Sequence, residues 1–335
     1  MVTEPVSTLW TGRHDGAGSV HARWHEVVIV GSTEHDDAEA GSAHLNLLGF
    51  CTDEGVRRNH GRVGAAEGPA ALRRALAPMA LHGPLASRNV RIRDYGDVVT
   101  EGEDLEGGQA AASRAITKAL DAPGSKLTVV LGGGHETAWA SYRGLMESDL
   151  MSPRDGQRPR WGVLNLDAHF DLRAEPRPTS GTPFLQMAQA EQSAGHSPLN
   201  YAVVGIAEPS NTGVLFGQAR SLGVRWMTDM GCAKAGALGI DRFVGNFAAN
   251  LDVLYLSIDL DLLPADVAPG VSAPAGLGVA TALVAAGIRA AAATGKLRLL
   301  DVVELNPLLD QDGRTARTAA RLIDEAVRAV FEGQA

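Results

Sequence analysis

Short apolar runs alternate along this chain with longer stretches whose apolar residues recur at helical spacing. The runs predict strands at Leu45–Phe50, Val90–Arg93, Leu127–Leu131, Gly162–Leu166, Tyr201–Ile206, Val224–Met227, Val253–Ile258 and Leu297–Val303. Most are predominantly apolar, as expected of parallel strands covered on both faces. Between them the spacing predicts helices over Gly68–Leu81, Gly108–Leu120, Thr137–Leu150, Thr212–Leu222, Gly236–Asn250, Val279–Thr294 and Arg314–Phe331. Strand then helix, repeated, implies a mostly parallel sheet with helices on both faces. Glu26–Val30 fits an extra strand or part of a helix equally well. Residues 1–25 carry little pattern and read as an extension on one domain spanning 1–335. Three stretches are rich in Pro and Gly: Ser152–Arg160, Ala174–Pro183 and Pro264–Gly278. Two of them follow acidic clusters at strand ends, where long loops more often build a site than a hinge.

Composition narrows the class. With 45% apolar and 21% charged residues the chain is a globular protein and not a disordered one. Its net charge of −9 argues against nucleic-acid or anionic-membrane partners. Two cysteines, Cys51 and Cys232, cannot make a disulfide framework and read as reduced thiols of a cytoplasmic protein. No export signal and no membrane-spanning apolar run is expected.

The chemistry sits where the strands end. Leu127–Leu131 runs into Gly132-Gly-Gly-His-Glu136, and Gly162–Leu166 into Asp167-Ala-His-Phe-Asp171. Val253–Ile258 runs into Asp259-Leu-Asp261, and Leu297–Val303 into Glu304-Leu-Asn-Pro307. Ligands of open α/β sheets bind outside the carboxyl ends of the strands. Alternate residues of an extended chain share a face, so Asp167, His169 and Asp171 point together, as do Asp259 and Asp261. So many carboxylates crowd together at acceptable cost only if a cation neutralises them. Carboxylate and imidazole without thiolate suit Mn²⁺, with Fe, Co, Ni or Zn as alternatives. Four Asp and two His suffice for two ions, a pairing that lowers the pKa of a water held between them. No Gly-Lys-Ser/Thr follows the three glycines, which rules against a phosphate loop. They instead let the backbone turn tightly and bring His135 close to the metals.

These residues resemble the ureohydrolase superfamily of arginases and agmatinases, most specifically in Asp167–Asp171, Ser257-Ile-Asp-Leu-Asp261 and Glu304–Pro307. Other stretches are similar to one branch, the formimidoylglutamases of histidine degradation. They are Asp53–Asn59 with Gly61–Ala65, Gly132–Glu136, Phe170–Arg173, Ser180–Phe184, Asn211-Thr212, Ala268–Pro274 and Arg314–Arg317. The resemblance implies a three-layer αβα sandwich around a mostly parallel eight-stranded sheet, a homo-oligomer, and two Mn²⁺ per subunit. One ion would take His135, Asp167, Asp171 and Asp259; the other would take Asp167, His169, Asp259 and Asp261. Arginases carry a His where this chain has Phe184, which favours the formimidoylglutamase branch and leaves a proton shuttle unassigned.

The implied reaction is hydrolysis of N-formimidoyl-L-glutamate to glutamate and formamide by a hydroxide bridging the two ions. Asp171 would relay the proton of the nucleophile, and Glu304 would orient the amidinium. The small dianionic substrate needs donors for its carboxylates. Arg57, Arg58, Arg62 and Arg173 lie near the motifs, with Asn59 among them. Arg173, two residues after a metal ligand, is the leading candidate, followed by Arg58 and Asn59 and then Arg57. The remaining histidines, His60 included, read as surface or loop groups. The competing expectations are a guanidino-compound hydrolase releasing urea, whose cationic substrate would want acids where this chain offers Arg, and a non-catalytic metal-binding member, which should have lost ligands.

Overall fold

The computed structural model describes residues 6–31, 43–86 and 90–332. Among the described residues nine strands form one sheet: β1 (Val28–Val30), β2 (Ala43–Cys51), β3 (Val90–Val99), β4 (Ser125–Leu131), β5 (Trp161–Leu166), β6 (Tyr201–Ile206), β7 (Arg225–Thr228), β8 (Val253–Asp259) and β9 (Leu297–Val303). Their order is β1-β3-β2-β4-β9-β8-β5-β6-β7, and every pair is parallel. The expected eight strands are thus all present, and the ninth comes from the ambiguous Glu26–Val30 segment. There a short helix, Trp24–Val27, passes directly into β1 at the sheet edge. Three residues, two of them exposed, leave too little periodicity to read.

The longer helices are α1 (Gly68–Leu76), α2 (Leu105–Leu120), α3 (Thr137–Glu147), α4 (Pro183–Ser193), α5 (Gly213–Ser221), α6 (Asp229–Ala248), α7 (Thr281–Ala293) and α8 (Arg314–Glu332). They cover both faces of the sheet and divide the core in two. One cluster packs α1, α6, α7 and α8 against one face; the other packs α2, α3 and α4 against the opposite face. Helix α4 is not among the helices that the spacing predicts. Pro183 closes the Pro-rich stretch, but Pro is also a favoured first-turn residue, and here it starts the helix.

The sheet order has one consequence for function. The strands whose ends carry the His and acid motifs, β4, β9, β8 and β5, are consecutive neighbours at the centre of the sheet. Parallel pairing brings their carboxyl ends to one rim, and central strands bury that rim deeply. Among the described residues no helix is long and apolar enough to cross a membrane.

Candidate metal centre

The loop after β4 shows how backbone packing places a side chain. A Cβ on Gly133 would sit 1.8 Å from the Thr52 carbonyl oxygen. Gly134 N–H donates to that carbonyl (2.9 Å), and Glu304 N–H donates to the Gly133 carbonyl (2.7 Å). None of Gly132, Gly133 and Gly134 has a positive φ. The glycines therefore serve close approach of three backbones, where a tight turn was expected. His135 emerges from this junction almost fully buried, its N–H donating to Glu304 Oε1 at 2.9 Å. Asp171 and Glu304 hold left-handed backbone conformations at φ 47° and 69°. Such conformations are costly in non-glycine residues and gather at functional sites.

The six expected ligand side chains converge. His135 Nδ1 lies 3.2 Å from Asp167, 3.0 Å from Asp171 and 2.9 Å from Asp259. His169 Nδ1 lies 3.0 Å from Asp261 and 3.5 Å from Asp167. Two groups with donor-atom spacing suited to an ion result: His135, Asp167, Asp171 and Asp259, and Asp167, His169 and Asp261. Asp167 belongs to both. Asp259 falls in the first group alone, and its Oδ1 accepts from Asp261 N–H at 2.8 Å. The donor set suits a cation. His135 Nδ1 and Asp261 Oδ1 are buried with no hydrogen-bond partner, and no Lys or Arg pairs with the cluster among the described residues.

Electrostatics agrees. Burial opposes a charge on His135, yet the carboxylates around its Nδ1 hold its pKa well above the usual histidine range. Burial, with Asp261 and Asp167 nearby, pushes Asp259 up. Burial and the facing Glu136 push Glu304 up to about 8. His135, His169, Asp171, Asp259 and Glu304 all shift towards holding protons, while the two histidines hold Asp167 low; the balance is that of a cluster short of positive charge.

These groups floor a pocket of about 420 Å³. Asn59, His60, Arg62, Arg173, Ser180 and Ser272 contribute to its walls. Two of the three Pro- and Gly-rich stretches supply lining residues; Ser152–Arg160 does not. Arg173 is pinned by its N–H to the Gly181 carbonyl (2.9 Å), and its side chain reaches the pocket. Asn59 donates to Ser180 Oγ at 3.1 Å.

Arg57 and Arg58, by contrast, do not line the pocket. Both pair with Glu54, and Arg58 also holds Glu106 at 2.8 Å and the carbonyls of Pro178 and Glu103. Arg58 is a buried clip between the Glu54–Arg58 helix, the Pro-rich loop and α2, so its charge is already matched. Arg62 is the basic residue of this segment that reaches the pocket. It donates to the Ser272 and Val271 carbonyls at 3.0 and 2.8 Å, which leaves its charge without a carboxylate among the described residues. His60 reaches the pocket too, at φ 60°, and no spacing rule marked it. Phe184 lies edge-on to His135 (5.4 Å between centroids) and stacks on Tyr201, so this position packs the His135 ring and offers no proton.

Comparison with known proteins agrees with this architecture. The arginase family model matches residues 43–328. A formimidoylglutamase of Rhodococcus jostii is 49% identical over 318 residues, covering 95% of this chain and 94% of that one. One from Nocardia farcinica is 51% identical, covering 95% of each. Among solved structures, a Bacillus subtilis formimidoylglutamase superposes with a TM-score of 0.81 at 19% identity, over 96% of this chain and 94% of that one. A Trypanosoma cruzi formiminoglutamase with Mn²⁺ gives 0.74 at 24%, over 87% and 94%. The shared fold, and relatives of near half-identity over almost the whole length, place this chain in the arginase family.

Proposed function

We propose that the chain hydrolyses N-formimidoyl-L-glutamate to L-glutamate and formamide, using two Mn²⁺ ions. The observation that carries this reading is a polarity across the pocket. Its floor holds the His/Asp cluster and Glu304, and its wall holds Arg62 and Arg173. Among the described lining residues no acid stands on the wall to meet a cationic tail. A substrate with an amidine at one end and carboxylates at the other matches that order. The near half-identical relatives are named for this reaction.

His135, Asp167, Asp171 and Asp259 would hold one ion, and Asp167, His169 and Asp261 the other. When bound, the ions supply Lewis acidity and a water of lowered pKa. The chain supplies the rest. Glu304, anchored on His135 N–H, presents its other oxygen to the amidinium and orients the formimidoyl carbon. Asp171, at the cluster's edge, accepts the proton of the attacking water and passes it to the departing glutamate nitrogen. The C–O bond forms as the C–N bond to glutamate breaks, and formamide leaves with its own nitrogen. Arg173 and Arg62 receive the carboxylates, with Asn59 and Ser180 beside them.

The test is a product assay with Mn²⁺ present. Formamide and glutamate in equal amounts are expected from the formimidoyl substrate. Urea released faster from agmatine, arginine or guanidinobutyrate would overturn the assignment in favour of guanidino hydrolysis.

A further inference from the structure

Behind the metal centre, on the side away from the pocket, a buried carboxylate belongs to no motif. Asp301 sits mid-strand in β9, register-paired with Ser257 of β8, and is fully buried. Its partners are three hydroxyls: Ser257 donates to Oδ1 at 2.5 Å, and Ser141 (2.7 Å) and Tyr255 donate to Oδ2. No Lys or Arg forms an ion pair with it among the described residues. Ser257 Oγ also lies 3.0 Å from His135 Nε2.

The direction of this chain follows from Asp301. A carboxylate only accepts, so the Ser257 proton is committed to it. Ser257 can then only accept from His135, which requires the proton on Nε2. In the neutral ring, the form that can ligate a cation, the lone pair is thereby left on Nδ1, the atom that faces Asp167, Asp171 and Asp259. We propose that Asp301 is a positioning residue that, through Ser257, locks His135 in the tautomer able to ligate a cation. An amide at position 301 would reverse the chain: its NH₂ donates to Ser257, Ser257 donates to Nε2, and the proton moves to Nδ1, where it blocks the ligand position. Partners of this kind typically set metal affinity by about 10–100-fold. The inference rests on the metal reading of the cluster.

The experiment titrates Mn²⁺ against a competing chelator, reading free Mn²⁺ by electron paramagnetic resonance. Wild type is expected to bind two ions. D301N and S257A should each weaken one ion by about 10–100-fold and leave the other within about threefold. The double variant should lose no more than the worse single, because both act through one chain. Y255F and S141A strip only the other oxygen; they should lower the melting temperature and leave both affinities alone. Unchanged affinities in D301N, or in S257A if D301N does not fold, would overturn the proposal. So would fully additive losses, or equal losses in Y255F. Wild type that binds no pair of ions would instead sink the metal reading beneath it.

Discussion

Two buried charge clusters in this molecule solve the same problem in opposite ways. Between α1 and β3, Arg73 is completely buried and grips Asp94 with two hydrogen bonds, at 2.7 and 2.9 Å, and Asp97 with a third at 2.6 Å. Trp10 and Gly96 N–H donate to the same Asp94. Gly49 makes room, since a Cβ there would fall 1.8 Å from Asp97. The chain brings its own cation. At the central rim, four Asp and two His converge with no Lys or Arg among them. Desolvated charge is tolerated in the first because it is paired, and in the second only if positive charge comes from solution. The first ties the fold together; the second is kept incomplete, which is what a binding site is.

Substitutions at the two clusters should therefore differ in kind. Asp259→Asn is expected to reduce formamide release at saturating Mn²⁺ on the order of 10³-fold. Stripped of metal, the same variant should melt no lower than stripped wild type, because it has lost one of several repelling carboxylates. Arg73→Met should do the reverse. Leaving the buried Asp94 and the partly buried Asp97 without their cation costs about 3–5 kcal/mol, in the presence or absence of Mn²⁺. Thermal melts of all three proteins, loaded and stripped, decide this. An R73M protein that melts like wild type would break the comparison, as would a D259N protein that keeps full turnover.

Mn²⁺ removal gives the next effect. A ligand at about 100 times its Kd stabilises the folded state by about 2.7 kcal/mol. Chelation should lower the melting temperature of wild type and R73M alike, and that of D259N much less. Equal shifts in all three would place the metal-linked stability elsewhere.

The substrate wall tests the same distinction between matched and unmatched charge. Arg173→Met should raise KM for the formimidoyl substrate by about one or two orders of magnitude, the loss of a charged hydrogen-bond pair. Arg58→Met removes a cation already matched by Glu54 and Glu106, so it should lower stability with KM little changed. Initial rates over substrate concentration separate the two, and a KM effect larger in R58M would reverse the assignment.

That pair also marks how far the sequence could be read. The strands, and the motifs at their ends, were legible because a mostly apolar run that stops abruptly at His and acid residues suits a buried strand ending at a polar rim and little else. The adjacency of β4, β9, β8 and β5 was not, since strand order follows long-range packing that no local pattern records. Arg58 and Arg173 look alike in sequence; only the fold brings Glu54, Glu106 and the Pro178 carbonyl to the first. Asp301 did leave a trace, as a charged residue inside the apolar run Leu297–Val303, and the structure converts that anomaly into a hydrogen-bond relay. His60 left none.

The smallest effect comes from a third cluster, self-paired like the first but nearer the surface. Glu191 accepts from Tyr142 at 2.8 Å and from Arg158 at 2.7 Å, with His196 at 3.3 Å. Burial would raise its pKa, but Arg158 and Tyr142 outweigh burial and hold it below the usual carboxylate range. A depressed folded-state pKa means that the carboxylate stabilises the fold above its unfolded pKa of about 4.3, and that this contribution fades as pH falls through the folded value. Glu191→Gln keeps shape and loses charge. Its melting temperature should lie about 2–4 °C below wild type at pH 7. The gap should narrow as pH falls from about 5 towards about 3, with metal-free protein used throughout so that ion release does not intrude. A gap that widens on acidification would mean that Glu191 is stabilised in its protonated form, and that pairing within the chain does not by itself keep a buried carboxylate charged.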